Sequence, residues 1–138
     1  MKTTTVLLTA ILLGFTACSQ NNTENLASTE QTSTQSQDNE QSVKKVSKSE
    51  FKAFMAEHTD YTLIDIRTPQ EFNRGTIEGA ININYNSPDF QAELNKLDKT
   101  KPVLMFCQSG GRSGRALPVF KSLGFEQVLE LQGGYGNY

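Results

Sequence analysis

Residues 102–106 (PVLMF) run straight into Cys107-Gln108-Ser109-Gly110-Gly111-Arg112-Ser113-Gly114-Arg115. A short continuous apolar run bounded by a glycine-rich turn is the pattern of a strand buried on both faces. Such strands occur in the centre of parallel sheets, whose crossovers put helices on each side. The flanking sequence supplies these crossovers. Val43 and Val46 bracket two lysines as a short edge strand. Ser47 and Glu50 have capping-box spacing and predict a helix start, with Phe51, Phe54 and Met55 as its apolar face. His58 falls at the end of that helix and reads as a helix-end or surface residue, not a metal ligand. Residues 61–66 are rich in β-formers and read as a buried strand. Residues 68–79 read as a loop with a helical turn at 70–73, and residues 80–84 alternate as a half-buried strand does. Ser87-Pro88-Asp89 predicts a helix with Pro88 in its first position, and Phe90, Leu94 and Leu97 as its buried face. A helix over 112–123 ends at Gly124, and residues 128–131 form a last strand. Pro118 removes the bond to the Gly114 carbonyl, which predicts a kink or a late helix start. This alternation predicts a three-layer α/β domain, a mostly parallel central sheet flanked by helices.

Composition separates this domain from what precedes it. Residues 19–42 contain 18 Ser, Thr, Asn or Gln, and their only apolar side chains are Leu26 and Ala27. Such a segment cannot bury enough surface to offset its ordering entropy, so residues 18–42 are expected to be a disordered tether. Residues 1–17 carry one charge, Lys2, and an apolar run at 6–15. A run of about ten residues is half of the roughly 20 that span a bilayer, and fits the apolar region of a signal peptide. Phe15-Thr16-Ala17-Cys18 resembles the end of a bacterial lipoprotein leader, with Phe15 where Leu is usual. That resemblance implies lipidation at Cys18 and a cell-envelope protein anchored to a membrane, periplasm-facing or at the outer membrane. The alternative is secretion with a free Cys18.

The folding part, residues 43–138, holds 12 Lys and Arg against 11 Asp and Glu. This balance gives no basic field and argues against a nucleic-acid partner. Cys18 and Cys107 are the two cysteines, so no disulfide framework crosslinks the domain.

The chemistry is expected at Cys107. It stands at the carboxyl end of the central strand, where open α/β sheets bind ligands. Gly110 and Gly111 let successive N–H groups curl inward ahead of a helix N-terminus, which makes an anion nest. Arg112 adds positive charge. Both features lower a thiol pKa, so Cys107 is expected to be a reactive thiolate. The competing reading is a buried cysteine acting as a small hydrophobe above a plain turn.

The domain resembles the rhodanese sulfurtransferases over about residues 46–134. Leu63-Ile64-Asp65-Ile66-Arg67 is similar to that family's first signature. Glu71-Phe72 and the stretch from Gly75 to Ile83 are similar to its second, with Thr76 and Glu78 where His and Pro are common. Cys107 to Ser113 is similar to the active-site loop, and Leu123-Gly124-Phe125 with Leu131-Gln132-Gly133-Gly134 to the closing segment. The C-x4-R spacing from Cys107 to Arg112 is one residue shorter than in related phosphatases and arsenate reductases, and resembles the form that holds one sulfane sulfur.

The resemblance implies a two-step transfer through a Cys107 persulfide, from thiosulfate or another persulfide donor to a thiol or cyanide. Backbone N–H groups of Gln108, Ser109, Gly110, Gly111 and Ser113 would bind the anionic sulfur, and Arg112 would add charge and close the loop. No cofactor or metal is needed, and a monomer suffices. Rhodaneses efficient with thiosulfate often place extra basic residues here, whereas Gln108, Ser109 and Gly111 are uncharged; the resemblance therefore implies weak use of thiosulfate, with Arg115, one turn into the helix, as the compensating cation. A relay module serving a protein partner is the alternative, and a phosphatase or arsenate reductase ranks lower. Asp65 and Arg67 are expected to pair structurally, and Glu71 to pair with Arg67 or Arg74.

Overall fold

The computed structural model describes residues 41–138; the leader, Cys18 and the tether up to residue 40 lie outside the described residues. Five strands form one sheet: β1 (Ser42–Val46), β2 (Thr62–Asp65), β3 (Ile81–Asn82), β4 (Val103–Phe106) and β5 (Gln127–Leu131). Their spatial order is β1-β5-β4-β2-β3, and every pairing is parallel. β4 is central, flanked by β5 and β2, and all four of its side chains are buried. This is the α/β fold that the apolar run at 102–106 predicts. The edge strand starts at Ser42, whose N–H donates to the Glu126 carbonyl at 2.8 Å.

Alternation along the strands divides the core in two. Val103, Met105 and Val128 face helices α3 (Phe90–Asn95) and α4 (Gly111–Ser122), where Phe90, Leu94, Ala116 and Phe120 complete one layer. Leu104, Phe106, Leu129 and Leu131 face α1 (Lys48–Glu57), where Phe51, Phe54 and Met55 complete the other. Ser47 caps α1 with a complete capping box to Glu50, and Thr68 does the same with Glu71 for the short helix α2 (Pro69–Asn73). His58 terminates α1, stacked on Phe54.

Three local expectations need correction. The strand at 80–84 shrinks to Ile81 and Asn82; beyond it the Ile83 and Tyr85 N–H groups still reach the Asp65 and Ile66 carbonyls, and the Asn82 amide bonds the Asp65 and Arg67 carbonyls. Of its alternating residues Ile83 is buried, while Ile81 is 44% exposed. Pro88 precedes α3 without entering it; the helix begins at Phe90, and Leu97 packs just past its end. Pro118 does not delay α4, which starts at Gly111 and runs through the proline to Ser122.

Candidate active site

Cys107 follows β4 directly and is the only cysteine among the described residues. Its side chain is 1% exposed, while Gln108, Ser109 and Gly111 of the loop above it are exposed. Gly110 takes φ +86°, a left-handed conformation that favours glycine, and turns its N–H onto Cys107 Sγ at 3.2 Å. The Ser113 hydroxyl lies 3.4 Å from the same sulfur. Burial pushes the thiol up, but hydrogen bonds from the Ser113 side chain and from the Ser113, Ser109 and Gly110 backbone outweigh it. The net result is a thiol held below its ordinary range.

The loop is latched from the carboxyl end of the chain. Tyr135 N–H donates to the Cys107 carbonyl at 2.7 Å, and Gly136 N–H to the Gln108 carbonyl at 3.0 Å. Tyr135 also stacks on Phe106 and lies under the Arg67 guanidinium, 4.1 Å from its ring centroid. Tyr138 packs edge-on against Phe51 of α1 instead. The chain can pass this close only because Gly134 has no side chain. A Cβ there would collide with the Cys107 carbonyl oxygen and lie 2.8 Å from the Gln108 carbonyl.

Asp65 and Arg67 form the expected buried pair, at 2.6 Å. Thr76 donates to the same carboxylate at 2.8 Å, which gives the residue in the variant signature a structural task. Arg67 also reaches Gln108 Oε1 at 3.1 Å, so this pair braces the loop.

Glu71 pairs with neither Arg67 nor Arg74. It takes both terminal nitrogens of Arg112, at 2.7 and 2.8 Å. The Arg112 hydrogen bonds pull its carboxyl down to about 2 against the opposing effect of burial, and the Arg112 pKa rises correspondingly. Arg115 is exposed and lies 6.0 Å over the Tyr85 ring. Glu130 is a site residue that the motifs do not mark. It is fully buried, and Ser113 Oγ lies 2.5 Å from its Oε1. The signal in the sequence is one acid inside the apolar run Val128-Leu129-Glu130-Leu131. Among the described residues no group of three or more His, Cys, Asp or Glu is placed to hold a metal ion.

A parallel α/β sheet with a buried cysteine in a glycine-turned loop at the end of its central strand places the chain in a class of α/β domains built around a cysteine loop. The chain belongs to the rhodanese-like domain family, which matches residues 47–138. It is 38% identical over 97 residues to a tRNA uridine(34) hydroxylase of Teredinibacter turnerae, covering 67% of this chain and 30% of that protein. It is 35% identical over 82 residues to thiosulfate sulfurtransferase 16, chloroplastic, of Arabidopsis thaliana, covering 52% of this chain and 68% of that one. Among solved structures it resembles SSP1007 from Staphylococcus saprophyticus, with TM-score 0.60 and 25% identity over 67% of this chain and 90% of that one. The chain spans less than a third of the length of the hydroxylases it matches.

Proposed function

We propose that this protein is a sulfurtransferase that carries a sulfane sulfur on Cys107. The observation that carries the reading is the Cys107 sulfur itself, which accepts from the Gly110 N–H and the Ser113 hydroxyl inside a C-x4-R loop. In the first half-reaction the thiolate attacks the outer sulfur of the donor. A Cys107 S–S bond forms as the donor's bond to that sulfur breaks. Sulfite leaves with the electron pair if the donor is thiosulfate, or a thiolate if it is a persulfide. In the second half-reaction a thiolate or cyanide takes the outer sulfur, and Cys107 departs as thiolate. The loop N–H groups stabilise negative sulfur in both states, as an oxyanion hole stabilises oxygen.

The Glu71–Arg112 pair favours a persulfide over thiosulfate as the donor. Arg112 is the cation of the loop, and its charge is matched by a carboxylate, while Gln108, Ser109 and Gly111 add none. A dianion therefore meets little net positive charge, whereas a thiol persulfide needs less. This observation also supports the second reading, a relay that takes sulfur from a protein partner with little turnover on small molecules. The tRNA uridine(34) hydroxylases carry the matching region within a longer chain. We further propose export by the leader, lipidation at Cys18 and a membrane-tethered monomer.

The test is intact-protein mass spectrometry after exposure to thiosulfate or a low-molecular-weight persulfide, followed by cyanide. Gain of one sulfur atom on Cys107, lost again to cyanide, is the expected result. No gain from either donor overturns small-molecule turnover and leaves the relay.

A further inference from the structure

Glu130 takes no part in the sulfur transfer described above, yet it lies beneath the loop. A Cβ on Gly110 would lie 3.6 Å from Glu130 Oε1. Oε1 is 2.5 Å from Ser113 Oγ, which in turn is 3.4 Å from Cys107 Sγ. Oε2 is buried with no hydrogen-bond partner among the described residues. A hydroxyl carries one proton and two lone pairs. Ser113 can therefore donate to the sulfur or to the carboxyl group, but not to both. A carboxylate can only accept, and would take the Ser113 proton. A carboxylic acid donates to Ser113 Oγ and leaves the Ser113 proton for the sulfur.

We propose that Glu130 is a positioning residue for the sulfur chemistry: as a carboxylic acid it donates to Ser113 Oγ and thereby aims the single Ser113 proton at Cys107 Sγ. The proposal rests on Cys107 being the nucleophile. Full burial with one oxygen unpartnered favours the neutral acid. The groups that face Glu130 agree, with one exception. Met105, its register partner on β4, is uncharged. Ser113 of α4 is neutral, and Arg112 is turned to Glu71. The Cys107 thiolate disfavours a second anion so close. Lys45, its register partner on the exposed edge strand β1, is the exception and favours the carboxylate. Burial outweighs Ser113 and Lys45 and raises the Glu130 pKa. As pH rises through that value the Ser113 proton turns away from the sulfur. The two groups then titrate as a coupled pair.

The experiment is the pH dependence of iodoacetamide alkylation of Cys107 in the purified protein, with thiolate ultraviolet absorbance as a second readout. E130Q keeps an N–H donor for Ser113 and should retain the thiol pKa that the wild type shows while Glu130 is protonated. It should also lose the fall in reactivity that the wild type shows as Glu130 ionises. E130V has neither a donor nor an acceptor, so it should lose that fall as well, without the raised thiol pKa that S113A shows. S113A should remove most of the dependence on Glu130, because the proton that Glu130 aims is gone. A fall that persists in E130Q, or one as large in S113A as in the wild type, overturns the proposal. If E130V does not fold, E130Q carries the test alone, and a raised thiol pKa there overturns it. Alkylation needs no sulfur donor. Failed sulfur transfer with this dependence intact would therefore overturn the functional reading and leave the proposal standing.

Discussion

Arg112 and Glu71 meet as a two-pronged ion pair, with Nη2 2.7 Å from Oε1 and Nη1 2.8 Å from Oε2. The pair ties the first turn of α4 to the first turn of α2 and so clamps one side of the cysteine loop. It also means that the loop's arginine is neutralised before any substrate arrives. Sulfur stabilisation is left chiefly to backbone N–H groups and to Ser113.

Glu71→Gln should free the Arg112 charge and weaken the clamp. With thiosulfate, kcat/KM should rise several-fold relative to a persulfide donor of lower charge. Steady-state kinetics with both donors would check this, and an unchanged ratio would count against charge neutralisation as the reason for donor choice.

The same carboxylate sets an acid limit on stability. Its folded pKa of about 2 lies below the ordinary 4.5, so its stabilising contribution is complete above 4.5 and is lost as pH falls toward 2. The two side chains are 28% and 19% exposed, and solvent screening keeps the effect to roughly 1–2 kcal/mol. Urea midpoints between pH 5 and pH 2 should fall more steeply in the wild type than in Glu71→Gln.

Cys107→Ser should abolish persulfide formation while leaving the fold intact, since a hydroxyl fits the space of the thiol. Ser113→Ala should instead preserve the chemistry and raise the thiol pKa, because it removes a donor to the thiolate. Alkylation rates across pH distinguish the two. Residual sulfur transfer in Cys107→Ser would refute the covalent route.

Gly134→Ala should be among the most damaging small changes in the domain. The new methyl meets the Cys107 carbonyl and the Gln108 backbone, and φ of +64° is already unfavourable for alanine. A loss of about 2–4 kcal/mol is expected, with poorer thiolate stabilisation as the loop shifts. Thermal unfolding and the alkylation profile should change together.

Arg67→Ala removes the partner of a fully buried carboxylate, Asp65. An uncompensated buried charge costs about 3–5 kcal/mol, so this variant should be unfolded or marginal at room temperature. Replacing both residues with apolar ones should be milder, which denaturant unfolding of the single and double variants would show.

Much of the fold was legible because its signals are local. The capping box at Ser47 pairs residues three apart, and the run at 102–106 reports burial on both faces through composition alone; the second box, Thr68 with Glu71, is seen only in the structure. Strand extent is less visible: the stretch at 80–84 has the right alternation, but only Ile81 and Asn82 pair with β2, a partner strand that lies far back in the sequence.

The sequence by itself determined the parallel α/β sheet, the place of Cys107 at its carboxyl edge and the glycine turn above the sulfur. These follow from hydrophobic patterning and backbone permissiveness within a few residues. Only the tertiary structure decided which charges meet. Glu71 has three arginines within its reach of possibilities, and the packing of α2 against α4 selects Arg112, 41 residues away. Glu130 reads as a lapse in an apolar strand until the fold sets it against Ser113, 17 residues back along the chain. Electrostatic pairing depends on distance in space, and side-chain distance is settled only when the layers close.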